Sequence, residues 1–122
     1  MRRRGMGMAV TRPARVPSRG DVYLVELDPT GGSEIRKTRP CLVISPDELN
    51  HHLRTAIVAP MTTGGHAYPF RPSCRFGGKD GRVALDQIRT VDRDRLRKRL
   101  GILSVAALAP LFRVLAELFE FP

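Results

Sequence analysis

The stretch Arg19-Gly20-Asp21-Val22-Tyr23-Leu24-Val25-Glu26-Leu27-Asp28-Pro29-Thr30-Gly31-Gly32-Ser33-Glu34, followed by Lys37-Thr38-Arg39-Pro40 and Cys41-Leu42-Val43-Ile44, decides the architecture. Val22 to Leu27 reads as a strand, apolar enough to be buried on both faces for part of its length. It runs into a loop rich in Pro and Gly over Asp28 to Thr38. A second apolar strand is expected from Cys41 to Ser45, opened by Pro40, because a first-position proline forfeits no central ladder bond. The loop carries a carboxylate, Glu34, and the cations Arg36, Lys37 and Arg39 follow at once. A long polar loop between two buried strands is where a scaffold places its chemistry. Here that chemistry is acid–base and phosphate-directed.

Outward from this stretch, Ser45-Pro46-Asp47-Glu48 reads as a capping box with Pro at the first helical position, giving a short helix to Asn50 or His52. Thr55 to Met61 is a third strand, ended by the turn Thr62-Thr63-Gly64-Gly65. Residues 66–82 are irregular, with a short strand at Ser73 to Phe76. Arg82 to Asp86 reads as a strand that continues after a bend through Gln87 to Val91, and Leu100 to Leu103 as another. Beyond Ser104, the residues Leu108, Leu111, Phe112, Leu115, Leu118 and Phe119 form a helical stripe, with Arg113 and Glu117 opposite. Pro110 cannot donate its amide bond in mid-helix, which sets the expected start of that helix near Ala109. Five to seven short strands and one C-terminal helix predict a mainly β fold, a compact and strongly bent sheet of the small-barrel kind.

The chain of 122 residues fits one modest core. Aromatic residues make up 6% and Trp is absent, which argues against a reader of single strands that depends mainly on stacking. The net charge of +9 points to a polyanionic partner. Residues 1–20 hold six arginines and no acid, so the remaining residues 21–122 carry +3. Residues 1–18 are therefore expected to be a basic, flexible arm that adds non-specific phosphate attraction, and residues 19–122 the folded domain. The two cysteines have no CxxC spacing, and Cys41 reads as a small core residue. The cytoplasm is the natural compartment. No apolar run approaches the ~20 residues of a membrane span, and no apolar segment follows the N-terminal arginines, so neither a span nor a secretory signal is expected.

Several side chains have the chemistry a nucleic-acid site needs. Arg39 precedes a proline, which pushes its backbone to the extended region, and its guanidinium can bind a phosphate bidentately. Thr62 and Thr63 place hydroxyls at a strand end. Asp86, at another strand end, can accept a proton or cap the bend. Between Arg89 and Arg99, cations alternate with Asp92 and Asp94. That pattern reads as a solvated face, whose excess of cations favours RNA or DNA nearby. His51 and His52 are adjacent and diverge, and His66 sits in a turn, so the histidines lack the spacing of a metal pair. Neither a P-loop nor a nucleophile elbow is present.

Six segments occur in order: Arg19-Gly20-Asp21-Val22-Tyr23, Leu27-Asp28-Pro29-Thr30, Gly32-Ser33-Glu34, Thr38-Arg39-Pro40, Ala59-Pro60-Met61-Thr62-Thr63 and Asp86-Gln87-Ile88-Arg89-Thr90-Val91-Asp92. Together they resemble the MazF/PemK (Kid) toxin family of type II toxin–antitoxin systems, over about residues 19–120. The resemblance implies an SH3-like, CcdB/MazF-type barrel with a C-terminal helix, working as a homodimer in the cytoplasm. It implies an endoribonuclease, an mRNA interferase, that cuts single-stranded RNA at short sequences with no metal and no cofactor. The target would be mRNA, with tRNA or rRNA as further classes, and the products a 2′,3′-cyclic phosphate and a 5′-hydroxyl. A cognate antitoxin with an acidic segment would occupy the RNA groove.

Carried onto this chain, the resemblance makes Arg39, Thr62, Glu34 and Asp86 the catalytic candidates, with Arg36, Lys37, Thr63 and Arg89 as RNA contacts. Some members have an Arg where this chain has Ala84 and a His where it has Ser33, so the family's division of acid and base does not transfer whole. Two other readings share the architecture: a CcdB-like toxin that binds DNA gyrase and cleaves nothing, and an inactive RNA-binding module. Arg39-Pro40 with Thr62 favours the nuclease.

Overall fold

A computed structural model describes residues 16–27, 35 and 37–122. Most of the expected basic arm and the loop residues 28–34 and 36, Glu34 and Arg36 among them, lie outside the described residues. Within them the chain forms seven strands and two α-helices: β1 (Asp21–Leu27), β2 (Lys37–Val43), α1 (Asp47–His52), β3 (Thr55–Thr62), β4 (Ser73–Phe76), β5 (Lys79–Val83), β6 (Arg89–Asp92), β7 (Leu96–Ile102) and α2 (Val105–Leu118). The sheet runs β4-β5-β3-β2-β1-β7, with β6 also paired to β3. All pairings are antiparallel.

β1 is the centre of the fold, buried on both faces as its sequence predicts. Val22 joins Leu42, Ile44, Ala59, Val83, Leu85, Leu103 and Leu111 in one core. Tyr23, Val25 and Leu27 point the other way and join Cys41, Val43, Val58 and Val91 in a second. Successive strand residues face opposite sides, so a run as apolar as Val22 to Leu27 can serve both cores. Cys41 is fully buried in the second core. Burial pushes its thiol up to about 12, against the pull of Arg89 and Arg39. Pro17, before the expected domain start, is also fully buried.

Several local expectations are corrected. β2 starts at Lys37, so Pro40 lies inside the strand and pairs across β1 with Leu24. Ser45 does not cap α1. Its Oγ donates to Asn50 Oδ1 (2.6 Å) and accepts from the Ile57 N–H (3.0 Å), sealing a buried corner around the fully buried Asn50. β7 begins four residues before the expected Leu100, because its pairing with β1 runs from Leu96. The C-terminal helix begins at Val105, not near Ala109. The Ser104 hydroxyl accepts from the Ala107 N–H (3.2 Å), and this N-cap sets the start while Pro110 is carried inside. The expected stripe of α2 is only partly spent on the core. Leu111 is buried and Leu108, Phe112 and Leu115 pack against it, but Phe119 stays 67% exposed.

Two prolines divide the sheet. The β2–β3 ladder pairs Cys41 with Pro60 and goes no further. The Ile44 N–H bonds the Ile57 carbonyl (2.9 Å), and alternation along β2 then makes Pro40 the residue whose N–H would bond β3 next. Proline has none. Beyond Pro60, β3 exchanges its partner β6 for β5, through Met61↔Val83 and Thr62↔Arg82. The β4–β5 hairpin comes so close that a Cβ on Gly81 would stand 2.5 Å from the Thr62 carbonyl oxygen.

Gly81→Ala is expected to lower stability by about 1–3 kcal/mol in urea unfolding, because the obstructing atom is backbone and cannot swing away. Gly64→Ala, with open space around it, should stay within about 0.5 kcal/mol of the parent. Equal behaviour of the two variants would contradict this account of the hairpin contact.

Candidate nucleic-acid groove

Where the β2–β3 ladder stops, the strands part and leave a groove of about 470 Å3. One wall is the start of β2, with Lys37, Thr38 and Arg39. The facing wall is the end of β3, with Met61, Thr62 and Thr63, and the β4–β5 hairpin closes one side with Phe76, Lys79 and Asp80. The structure therefore brings together four of the residues singled out from the sequence: Lys37, Arg39, Thr62 and Thr63. Arg39 is half-buried and Lys37 is exposed. Lys37 has a φ of 75°, in the left-handed region that a non-glycine residue occupies only at a cost in strain. Thr62 Oγ1 makes only a long bond to the Gly64 carbonyl (3.4 Å), so its hydroxyl is available to a ligand.

Two groove residues escape sequence reasoning. Lys79 and Asp80 sit on the far hairpin, forty residues from Arg39, and nothing in their local pattern marks them. Gly81 was the available signal, since its contact with Thr62 is what seats the hairpin there. Asp80 is engaged by Arg75 at 2.9 Å, in an exposed pair.

Asp86 and Arg89 do not line the groove. Asp86 lies in a single 3-10 turn, Leu85–Gln87. Arg71 donates to both of its carboxylate oxygens, each at 2.8 Å. That bidentate bond holds the Asp86 carboxyl below the usual carboxylate range, against a smaller opposing effect of burial. The same bond raises Arg71. Three residues on, Arg89 Nη2 donates to the Ile35 carbonyl (2.7 Å), while Gln87 Oε1 accepts from the Ile35 N–H (3.2 Å). The segment Asp86-Gln87-Ile88-Arg89 thus grips the chain on two sides: Arg71 after β3, and Ile35 just ahead of β2. Arg89 and Arg39 are both close enough to the buried Cys41 to act on its thiol electrostatically. Among the described residues, no group of three or more His, Cys, Asp or Glu gathers to hold a metal ion. No helix among them is long and apolar enough to cross a membrane.

In chemical terms the groove offers Lys37 and Arg39 on one wall and the hydroxyls of Thr62 and Thr63 on the other, with Lys79 on the hairpin side. That arrangement suits a phosphodiester, with charge-assisted hydrogen bonds from one wall and neutral donors from the other.

Comparison with known proteins agrees with this fold. Residues 18–119 match the model of the family described as PemK-like, MazF-like toxin of type II toxin-antitoxin system. The chain is 39% identical over 93 residues to Endoribonuclease MazF of Staphylococcus epidermidis, covering 70% of this chain and 77% of that protein. It is 36% identical over 76 residues to Endoribonuclease toxin MazF of Escherichia coli K12, covering 62% and 68%. Its fold is similar to the crystal structure of MazF from Deinococcus radiodurans, with a TM-score of 0.77, 28% identity and coverage of 88% of this chain and 99% of that one. The MazE–MazF structure from the same organism is similar too, with a TM-score of 0.72, 27% identity and coverage of 88% and 99%. The mainly β sheet, the C-terminal helix and a family match across most of the sequence lead to one conclusion: this chain belongs to the PemK-like, MazF-like toxins of type II toxin–antitoxin systems.

Proposed function

We propose that this toxin is a metal-independent endoribonuclease that cuts single-stranded RNA in the groove between β2 and β3. The observation that carries the reading is the placement of Arg39 across the parted sheet from Thr62, at a site of about 470 Å3. RNA brings its own nucleophile. The 2′-oxygen forms a bond to phosphorus, a base takes its proton, and the bond from phosphorus to the 5′-oxygen breaks as that oxygen gains a proton. The products are a 2′,3′-cyclic phosphate and a 5′-hydroxyl. Negative charge builds on the phosphorane oxygens in between, and a fixed guanidinium is suited to hold it. Arg39 fills that role, and Thr62 donates a further hydrogen bond. Lys37 and Thr63 extend the phosphate-binding wall, with Arg36 as a further contact.

An arginine, with a pKa above ~12, is a poor base. Asp86 is also badly placed for proton transfer, since both of its oxygens are bound by Arg71 and its carboxyl is held low. We assign the proton transfer to Glu34, and to Asp86 and Arg89 the positioning of the flanking chain. Family membership separates this chain from the gyrase-binding alternative. The antitoxin partner is a protein with an acidic segment, attracted by the groove's cations. The working form is a homodimer in the cytoplasm. Leu118, Phe119 and Phe121, which are 42%, 67% and 93% exposed, provide apolar surface for a second copy.

With excess chelator and a long single-stranded RNA, the parent protein should give discrete cuts, and sequencing of the ends should show cyclic phosphates. Arg39→Ala and Thr62→Ala should each slow cleavage by roughly 100-fold or more, and Glu34→Gln by about 100- to 10,000-fold. Undiminished cleavage by Arg39→Ala would remove the central assignment. A second measurement addresses Asp86. Its carboxyl is held low in the folded state, so its contribution to stability is complete above the ordinary value near ~3.9 and fades as pH falls through the lower folded value. Asp86→Asn should cost about 1 kcal/mol at pH 7 in urea unfolding. That gap should narrow as the pH is taken below ~3.9. A gap of the same size at both ends of the titration would show that the Arg71 pair is not its source.

A further inference from the structure

Between Thr63 and Ser73 the chain carries three rings at alternate positions that belong to neither core: His66, Tyr68 and Phe70. They form a ladder. The His66 and Tyr68 centroids are 4.6 Å apart at 47°, and Tyr68 stacks on Phe70 at 5.0 Å and 8°. Phe70 is half-buried and borders a cleft with Val114 and Leu118 of α2. Tyr68 is 43% exposed, and His66 is exposed as well. The ladder is therefore rooted against the helix and ends in an imidazole that faces water.

Its geometry is set without a ligand. The Tyr68 N–H bonds the His66 carbonyl (3.0 Å), the Arg71 N–H bonds the Tyr68 carbonyl (3.0 Å), and the Leu85 N–H bonds the Phe70 carbonyl (3.3 Å). The Arg71 guanidinium lies 5.8 Å from the Tyr68 centroid while it holds Asp86. A loop staple accounts for Tyr68 on Phe70. It does not account for an exposed third ring set at a tilt against the outer end.

The position is informative. Thr63 lines the groove, and His66 follows three residues later, so its Cα lies within ~11 Å of that of Thr63 along the chain. A strand of RNA with one phosphate at Arg39 extends past that distance on either side and carries unpaired bases with exposed π-faces. The geometry points to His66, backed by Tyr68, as a stacking step for one unpaired base flanking the scissile phosphate. This rests on the RNA-groove reading above. Stacking of this kind accepts any base, so the step holds the strand in register and does not read its sequence.

The test uses two fluorescent probes in anisotropy titrations: a 2′-O-methyl oligoadenylate, which lacks the attacking hydroxyl and is not cut, and an abasic phosphodiester of equal length. The parent protein should bind the base-bearing probe more tightly. His66→Ala should weaken that binding roughly 5- to 100-fold and leave the abasic probe unchanged. His66→Phe should restore it. Arg39→Ala should weaken both probes. The proposal is overturned if His66→Ala weakens neither probe, or both equally. Parent protein that binds neither probe overturns it together with the RNA reading. Parent protein that shows the stacking difference yet cuts no RNA would leave the step standing and remove the cleavage.

Discussion

A missing hydrogen bond organises this molecule. β2 and β3 pair through Cys41 and Pro60, and beyond that pair β2 has no N–H to give to β3 because residue 40 is proline. A continuous sheet would leave no groove, and Arg39 and Thr62 would be neighbours in a ladder with no room for a ligand. With the ladder stopped, β3 turns to β5, the β4–β5 hairpin swings in, and two walls face each other. The close approach that seats the hairpin depends on Gly81 having no side chain. The site thus rests on two absences: the N–H that β2 lacks at residue 40, and the Cβ at residue 81 that would push the hairpin wall away.

The short segment Asp86-Gln87-Ile88-Arg89 completes the arrangement. It contributes little to the groove lining but fastens what stands around it. Two of its side chains hold the main chain of Ile35, ahead of β2, and a third holds Arg71, beyond β3. A charged motif at a site is usually read as chemistry. Here its hydrogen bonds are directed at protein, which argues for a role in pre-organisation: fixed dipoles and charges stabilise a transition state better when they need no reorganisation.

How much of this was legible in the sequence depends on the distance over which the information acts. β1 was readable because its double burial is written in consecutive residues. Arg39, Thr62 and Thr63 were readable as a set because ordered motifs carried them, and Lys37 adjoins one of those motifs. The start of β2 was not, since Lys37 to Pro40 are strand only through their pairing with β1. The start of α2 was misplaced because the penalty of Pro110 was weighed above the Ser104 cap, and the structure resolves that contest the other way. Ser45 looked like a cap, but a buried Asn50 and the Ile57 amide claimed its hydroxyl. Lys79 and Asp80 entered the groove by a tertiary contact that no local pattern announces. For Asp86 the sequence leaves proton acceptance and capping of the bend both open, because its actual partner, Arg71, lies fifteen residues away in an irregular segment.

The parted sheet has a consequence for life at high concentration. A gap in a sheet is an open invitation to a strand from another molecule, and unguarded edges of this kind seed aggregates. The groove edge of β2 is protected by the same residues that define it. Pro40 offers no donor to an incoming strand, and Lys37 and Arg39 set a positive charge at the entrance that another copy of this cationic chain would carry as well. The features that open the groove, a proline and a positive charge, are thus also the features that discourage a sister strand from closing it.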